Sequence, residues 1–259
     1  MYFVANWKMN PPTLAEAERL LKQVKAQLRI VRDGAEANIV ICPPSIFFSK
    51  IAKSNNLIKF GVQNINWEER GSFTGETSIL MAKDFGAEYC LVGHSERKIY
   101  FGENSLLANK KIKLCLEKGL TPIYCIGETL EEKQRGQTRK IIQEQLKVGL
   151  KDIGWMGMKH IIIAYEPIWA IGTQNGAGAA NPDNVLEISI LIRKILFDIY
   201  DQKTARKTIV LYGGSVTPKN VISYLQNNSS NGFLIGSASL NASDFVSIIK
   251  KSTIQKNVS

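Results

Sequence analysis

Eight short apolar runs punctuate the chain: YFVAN from Tyr2, NIVIC from Asn38, KFGVQ from Lys59, YCLVG from Tyr89, TPIYCIG from Thr121, HIIIAYE from His160, TIVLYGG from Thr208 and GFLIG from Gly232. Most are continuously apolar rather than alternating, which marks strands covered on both faces, as in parallel sheets. Between them the period changes. Leu14, Ala17, Leu21, Val24 and Leu28 share one helical face, opened by Thr13 and Glu16 as a capping box. Val185, Ile188, Ile192, Ile195 and Ile199 do the same behind Asn181-Pro182-Asp183, an N-cap followed by proline and an acidic first turn. Thr129 and Glu132 make a second capping box, and Gly119 is placed to close the helix containing Leu116. Strand and helix alternate from end to end, with no linker-like stretch and no close sequence repeat. Eight strands with eight helices in roughly 250 residues predict an α/β fold, a closed (β/α)8 barrel forming a single domain over residues 1–259. A doubly wound open sheet is the second choice. No GxGxxG follows the first run, which counts against its dinucleotide-binding form.

Composition narrows the possibilities. Apolar residues make up 44% of the chain and charged residues 22%, ordinary for a globular protein. No uninterrupted apolar run reaches the ~18 residues of a membrane helix. Met1 leads straight into a strand without a basic segment and apolar stretch, so export is not expected and a cytoplasmic location is. Cys42, Cys90, Cys115 and Cys125 sit singly among apolar residues, as reduced core thiols do. Their spacing, with only two histidines, does not suit zinc. The net charge of +10 (33 basic minus 23 acidic) reads first as a solvated surface and second as attraction for an anionic substrate. No basic patch is interleaved with aromatics, so no nucleic-acid partner is expected.

Candidate chemistry collects where strands hand over to loops, the working rim of such a barrel. Glu166 ends the sixth run between apolar Ile163-Ala164-Tyr165 and Ile168-Trp169-Ala170-Ile171; apolar surroundings should raise its pKa and strengthen it as a base. Lys8 ends the first run beside Trp7, between Asn6 and Asn10, well placed to stabilise an oxyanion. His94 ends the fourth, before the polar turn Ser95-Glu96-Arg97; if that turn opens a helix, its dipole favours a neutral imidazole. His160 begins its strand, at the other rim, and is given no chemistry. Tyr212-Gly213-Gly214-Ser215-Val216 and Gly236-Ser237-Ala238-Ser239 follow the last two runs, where small residues let backbone N–H groups approach a phosphate.

The motifs NWKMN (from Asn6), FTGE (from Phe73), GHSER (from Gly93), CIGE (from Cys125), YEPIWAIGT (from Tyr165), YGGSV (from Tyr212) and LIGSASL (from Leu234), in this order, resemble the triosephosphate isomerase family. The resemblance runs from about Tyr2 to Leu240. It implies interconversion of dihydroxyacetone phosphate and D-glyceraldehyde 3-phosphate through an enediol(ate), in glycolysis and gluconeogenesis. It gives Glu166 the role of base, His94 that of neutral proton shuttle, and Lys8 and Asn6 that of stabilising negative charge. Glu96 would orient the site through Lys8. Gly172, Ser215, Gly236 and Ser237 would hold the phosphate, and Pro167, Ile168, Trp169, Ala170, Ile171, Gly172 and Thr173 would form a lid that expels water on closing. It implies a homodimer, with the loop around Thr74 reaching into the partner, and no metal or organic cofactor.

Two features depart from the family pattern. The stretch Gln174 to Ala180 behind the lid is about three residues longer than usual, which predicts altered lid kinetics with preserved chemistry. Ser237 stands where glycine is common; its phosphate contact survives only if its backbone adopts the required φ. Two other readings remain at this point: a different phosphate-binding barrel enzyme, such as a Schiff-base aldolase using Lys8 or another sugar-phosphate isomerase, and a dimeric barrel that only binds.

Overall fold

The computed structural model describes residues 1–31, 37–52, 57–170, 179–228 and 230–258. All eight apolar runs form strands: β1 (Tyr2–Asn6), β2 (Asn38–Cys42), β3 (Lys59–Val62), β4 (Tyr89–Val92), β5 (Thr121–Ile126), β6 (Ile162–Tyr165), β7 (Ile209–Tyr212) and β8 (Gly232–Ile235). They pair in parallel and in sequence order, and β1 closes on β8 with Tyr2 opposite Gly232 and Ala5 opposite Ile235. The closed barrel is therefore observed, and the open sheet is excluded.

Two strands start later than the apolar pattern predicts. The N–H groups of His160 and Ile161 are used by Gly157 and Met158, finishing the turn before β6, and Thr208 caps the helix before β7 by donating to Thr204.

Eleven α-helices lie among the described residues: α1 (Leu14–Val31), α2 (Ser45–Ile51), α3 (Ile79–Asp84), α4 (Ser95–Phe101), α5 (Ser105–Lys118), α6 (Leu130–Gln134), α7 (Thr138–Gly149), α8 (Trp155–Met158), α9 (Pro182–Ile199), α10 (Gln202–Lys207) and α11 (Ala242–Val258). The expected count of eight is exceeded because several crossovers hold more than one helix. Asn104 and Asp201 restart the chain as α5 and α10, their side chains accepting from the N–H groups of Leu107 and Thr204. A 3-10 helix, Val221–Asn228, replaces an α-helix after β7. The Thr129–Glu132 box is reciprocal as expected, whereas Thr13 and Glu16 bond through their side chains and one backbone N–H.

Side chains in the strands alternate between two apolar layers. Val4, Leu91, Ile123, Cys125, Ile162, Ala164, Leu211 and Leu234 fill the barrel interior. Phe3, Ala5, Tyr124, Ile163, Tyr165, Val210 and Phe233 point outward and pack in the shell with the buried helix faces, including Ala17, Val24, Ile192 and Ile195. This period of two positions the chemistry. Asn6, Glu166, Gly213 and Gly236 are the next inward positions after Val4, Ala164, Leu211 and Leu234, so each strand delivers its terminal residue into the mouth of the barrel.

Candidate active site

Asn6, Lys8, His94, Glu166, Gly213, Ser215, Gly236 and Ser237 line one cavity of about 140 Å³ at that mouth. Residues from strands far apart in sequence converge because each sits at a strand's C-terminal end. Glu166 is 2% exposed and His94 5% exposed. Oε1 of Glu166 lies 3.2 Å from Nε2 of His94, and Oε2 accepts from the Ser95 N–H at 3.2 Å. Gly213 makes this possible: a Cβ there would stand 2.7 Å from Cγ of Glu166.

The hydrogen bonds fix the protonation of His94. It is the N-cap of α4, and its Nδ1 accepts from the Glu96 N–H at 3.3 Å. An accepting Nδ1 carries no proton, so the ring is neutral with its proton on Nε2, facing Glu166. The Glu96 carboxylate lies 3.7 Å from the same Nδ1, too far for a hydrogen bond, and is taken up by Lys8.

The direction of the Glu166 pKa corrects the sequence expectation. Burial pushes it up, whereas the hydrogen bonds from Nε2 of His94 and from the Ser95 N–H, with the Lys8 charge, pull it down and leave it below the usual glutamate value. The neighbours, and not the apolar lid sequence, dominate its electrostatics.

Lys8 donates to Oε1 of Glu96 at 2.6 Å. Its backbone takes φ 53°, the left-handed region that costs a non-glycine residue about 1–2 kcal/mol. That conformation is held from two sides: Oδ1 of Asn6 accepts its N–H at 3.0 Å, and Nε2 of Gln63 donates to its carbonyl at 2.8 Å. Gln63 also donates to the Cys42 carbonyl, tying the exits of β1 and β2 to that of β3.

On the side where the glycine-containing loops were expected to take a phosphate, Gly236 is close to the Lys8 side chain, and Ser237 begins a 3-10 helix, Ser237–Leu240. The non-glycine residues with positive φ among those described are Lys8 and Asp152, so Ser237 sits in an ordinary backbone conformation. Ser215 presents both its N–H, at 3.2 Å, and its Oγ, at 2.8 Å, to the carbonyl of Ala170. Ile168–Ala170 forms a 3-10 turn directly after Glu166-Pro167. Ile171, Gly172, Thr173 and the stretch from Gln174 to Gly178 lie outside the described residues. Thr74 is exposed on the loop between β3 and α3, away from this cavity.

Glu128, the last residue of CIGE, carries no role in the sequence pattern. It is buried and accepts from Nε1 of Trp169 at 3.0 Å and from the Tyr165 hydroxyl at 3.1 Å, anchoring the turn after Glu166. Burial raises its pKa against these donors. Lys133 stands 3.5 Å over the Trp169 ring. Glu103 was also missed; it is buried and binds the Gly93 N–H, Arg97 and Lys111 at 2.9, 2.7 and 2.6 Å, bracing the turn that carries His94. Gln63 and Glu128 each lie just past a strand end, so the rule that found Glu166 applied to them as well.

A buried carboxylate touching a neutral imidazole moves protons, and an ammonium on the same wall answers the charge that such a transfer creates. The architecture is thus that of the acid–base enzymes built on closed (β/α)8 barrels. The sequence matches the family model for triosephosphate isomerase over residues 1–252. It is 41% identical over 248 residues to the triosephosphate isomerase of Dictyoglomus thermophilum, covering 95% of this chain and 97% of that protein. With that of Dehalococcoides mccartyi it shares 42% over 254 residues (97% and 96%), and with that of Aquifex aeolicus 41% over 247 (95% and 96%). The chain belongs to the triosephosphate isomerase family.

Proposed function

We propose that the interconversion of dihydroxyacetone phosphate and D-glyceraldehyde 3-phosphate runs in this cavity with Glu166 as the base. The Glu166 carboxylate takes the proton from the carbon beside the carbonyl. The released pair forms the carbon–carbon double bond, and the carbonyl π pair moves onto oxygen, which is protonated from Nε2 of His94. Reversal at the neighbouring carbon completes the aldose–ketose exchange, with no net oxidant or reductant. Lys8 and Asn6 face the developing oxyanion, and Glu96 holds Lys8. The N–H groups around Gly213, Ser215, Gly236 and Ser237 receive the phosphate, together with Gly172 of the lid.

The observation that carries this reading is the 3.2 Å contact between Glu166 and a His94 whose Nδ1 is already committed as an acceptor. Turnover of dihydroxyacetone phosphate in deuterium oxide should yield glyceraldehyde 3-phosphate deuterated at the former carbonyl carbon, where the exchanged base returns its proton. Glu166→Gln should abolish both exchange and turnover; retained turnover would remove Glu166 from its role. The Schiff-base reading loses support because Lys8 is ion-paired at 2.6 Å, which suits an ammonium and not an attacking amine.

Assembly as a homodimer belongs to the same proposal. Met9, 93% exposed, and the exposed Ile46, Met81, Phe85, Tyr100 and Phe101 all follow β1 to β4, on the side that carries Thr74. This apolar exposure supports a contact with a second copy there. Sedimentation should report twice the chain mass, and a monomer would refute it. No described helix is long and apolar enough to cross a membrane, in keeping with the proposed cytoplasmic setting.

A further inference from the structure

The exit of β5 continues past its last strand residue as a fully bonded edge. On the side facing β6, the Ile126 carbonyl accepts from the Glu166 N–H at 2.7 Å, and the Glu128 carbonyl accepts from the Ile168 N–H at 3.0 Å. This alternation is that of a parallel ladder, in which the intervening residue, Gly127, must turn its N–H and carbonyl the other way. There β4 has ended at Val92, and no strand remains to receive them.

Gln145 of α7 fills that place. Its Oε1 accepts from the Gly127 N–H at 2.8 Å, and its Nε2 donates to the Gly127 carbonyl at 2.9 Å. The Gln145 backbone is itself fixed, its carbonyl accepting from the Tyr124 hydroxyl of β5 at 2.8 Å. Gly127 lies hard against the base: a Cβ at this position would fall 1.8 Å from the Glu166 carbonyl oxygen. The Glu166 backbone thus rests on a residue whose N–H and carbonyl are both held by one side-chain amide.

We propose that Gln145 is a positioning residue for Glu166, replacing a missing strand at the β5 exit and so setting where the carboxylate can reach. It lies outside the cavity and touches no reacting atom. The inference rests on the reading of Glu166 as the base.

Two variants test it, with kcat and KM for glyceraldehyde 3-phosphate measured across pH and folding followed by circular dichroism. Gln145→Met removes both hydrogen bonds without adding charge. Misplacement on the order of 1 Å costs about a hundredfold, so kcat should fall by roughly tenfold to a hundredfold with KM little changed. Gln145→Glu keeps both hydrogen bonds while its carboxyl is protonated, since the O–H donates to the Gly127 carbonyl and the C=O accepts from its N–H. Its kcat should approach that of the native protein at acid pH and fall as the new group ionises, a limb absent from the native profile. If Gln145→Met does not fold, the pH profile of Gln145→Glu decides alone, measured where circular dichroism shows a native spectrum. Native kcat in both variants, or lost thermal stability with native kcat, would overturn the proposal. Failure of the underlying reading looks different: Glu166→Gln would then stay active whatever Gln145 does.

Discussion

Glu166→Asp isolates the geometry of the base from its chemistry. The substitution keeps a carboxylate and shortens the side chain by one methylene, drawing it back by on the order of 1 Å or more. In the native protein both oxygens are placed, one 3.2 Å from Nε2 of His94 and the other 3.2 Å from the Ser95 nitrogen. An aspartate could recover these contacts only if the backbone advanced. The backbone has no room to do so: its N–H is held at 2.7 Å by Ile126, Pro167 follows, and Gly127 lies against its carbonyl. The carboxylate therefore stays back from the carbon it must deprotonate. A loss of about a hundredfold corresponds to about 2.7 kcal/mol of transition-state stabilisation. A coupled assay with glyceraldehyde 3-phosphate should show this loss in kcat, with KM nearly unchanged because the phosphate groups are untouched. A variant within a few-fold of native kcat would refute the argument that reach limits catalysis here.

Because its neighbours hold Glu166 below the usual glutamate value, its carboxyl, followed by carbon NMR in the free protein, should titrate below an ordinary glutamate; a raised value would contradict it. Glu103→Gln should destabilise the fold by about 3 kcal/mol, roughly 6–12 °C in Tm for a chain of this size, because it removes the counter-charge of the buried Lys111 ammonium and leaves it the neutral Asn64 Oδ1. Burial raises the Glu103 pKa, but Lys111, Arg97 and the Gly93 N–H more than reverse this and leave it lowered. Its contribution is therefore present above the ordinary carboxylate range and is lost as pH falls through the lowered folded value, so native and variant stabilities should converge in acid. Lys8→Met should cut kcat by about a hundredfold to a thousandfold with a native circular dichroism spectrum; retained activity would remove Lys8 from charge stabilisation.

The barrel was legible because its strands are buried on both faces and leave uninterrupted apolar runs, and because polar residues at strand ends fall at one rim. That reasoning reached Glu166, His94, Lys8, Asn6 and the two glycine-containing loops. It misjudged the pKa of Glu166, because composition reports the neighbours in sequence while the field comes from His94, Ser95 and Lys8, brought in by other strands. It passed over Glu103 and Gln145 for a related reason. Both sit inside helical or capping patterns that look like ordinary solvated polar positions, and only the folded chain shows them bonded to backbone at Gly93 and Gly127. The strained φ of Lys8 has no local sequence signal, since it is imposed by Asn6 and Gln63 together.

If the phosphate sits at Ser215 as proposed, the double attachment of Ser215 to Ala170 sets it and the segment behind Glu166 in competition for the same N–H and hydroxyl donors. A phosphate oxygen that claims the Ser215 amide must evict a carbonyl, and the displaced carbonyl belongs to the chain that begins the lid. Binding energy at one end of the substrate would thereby be converted into rearrangement at the other. A triose without the phosphate would leave the old partnership intact and meet a cavity that never receives the signal to enclose it.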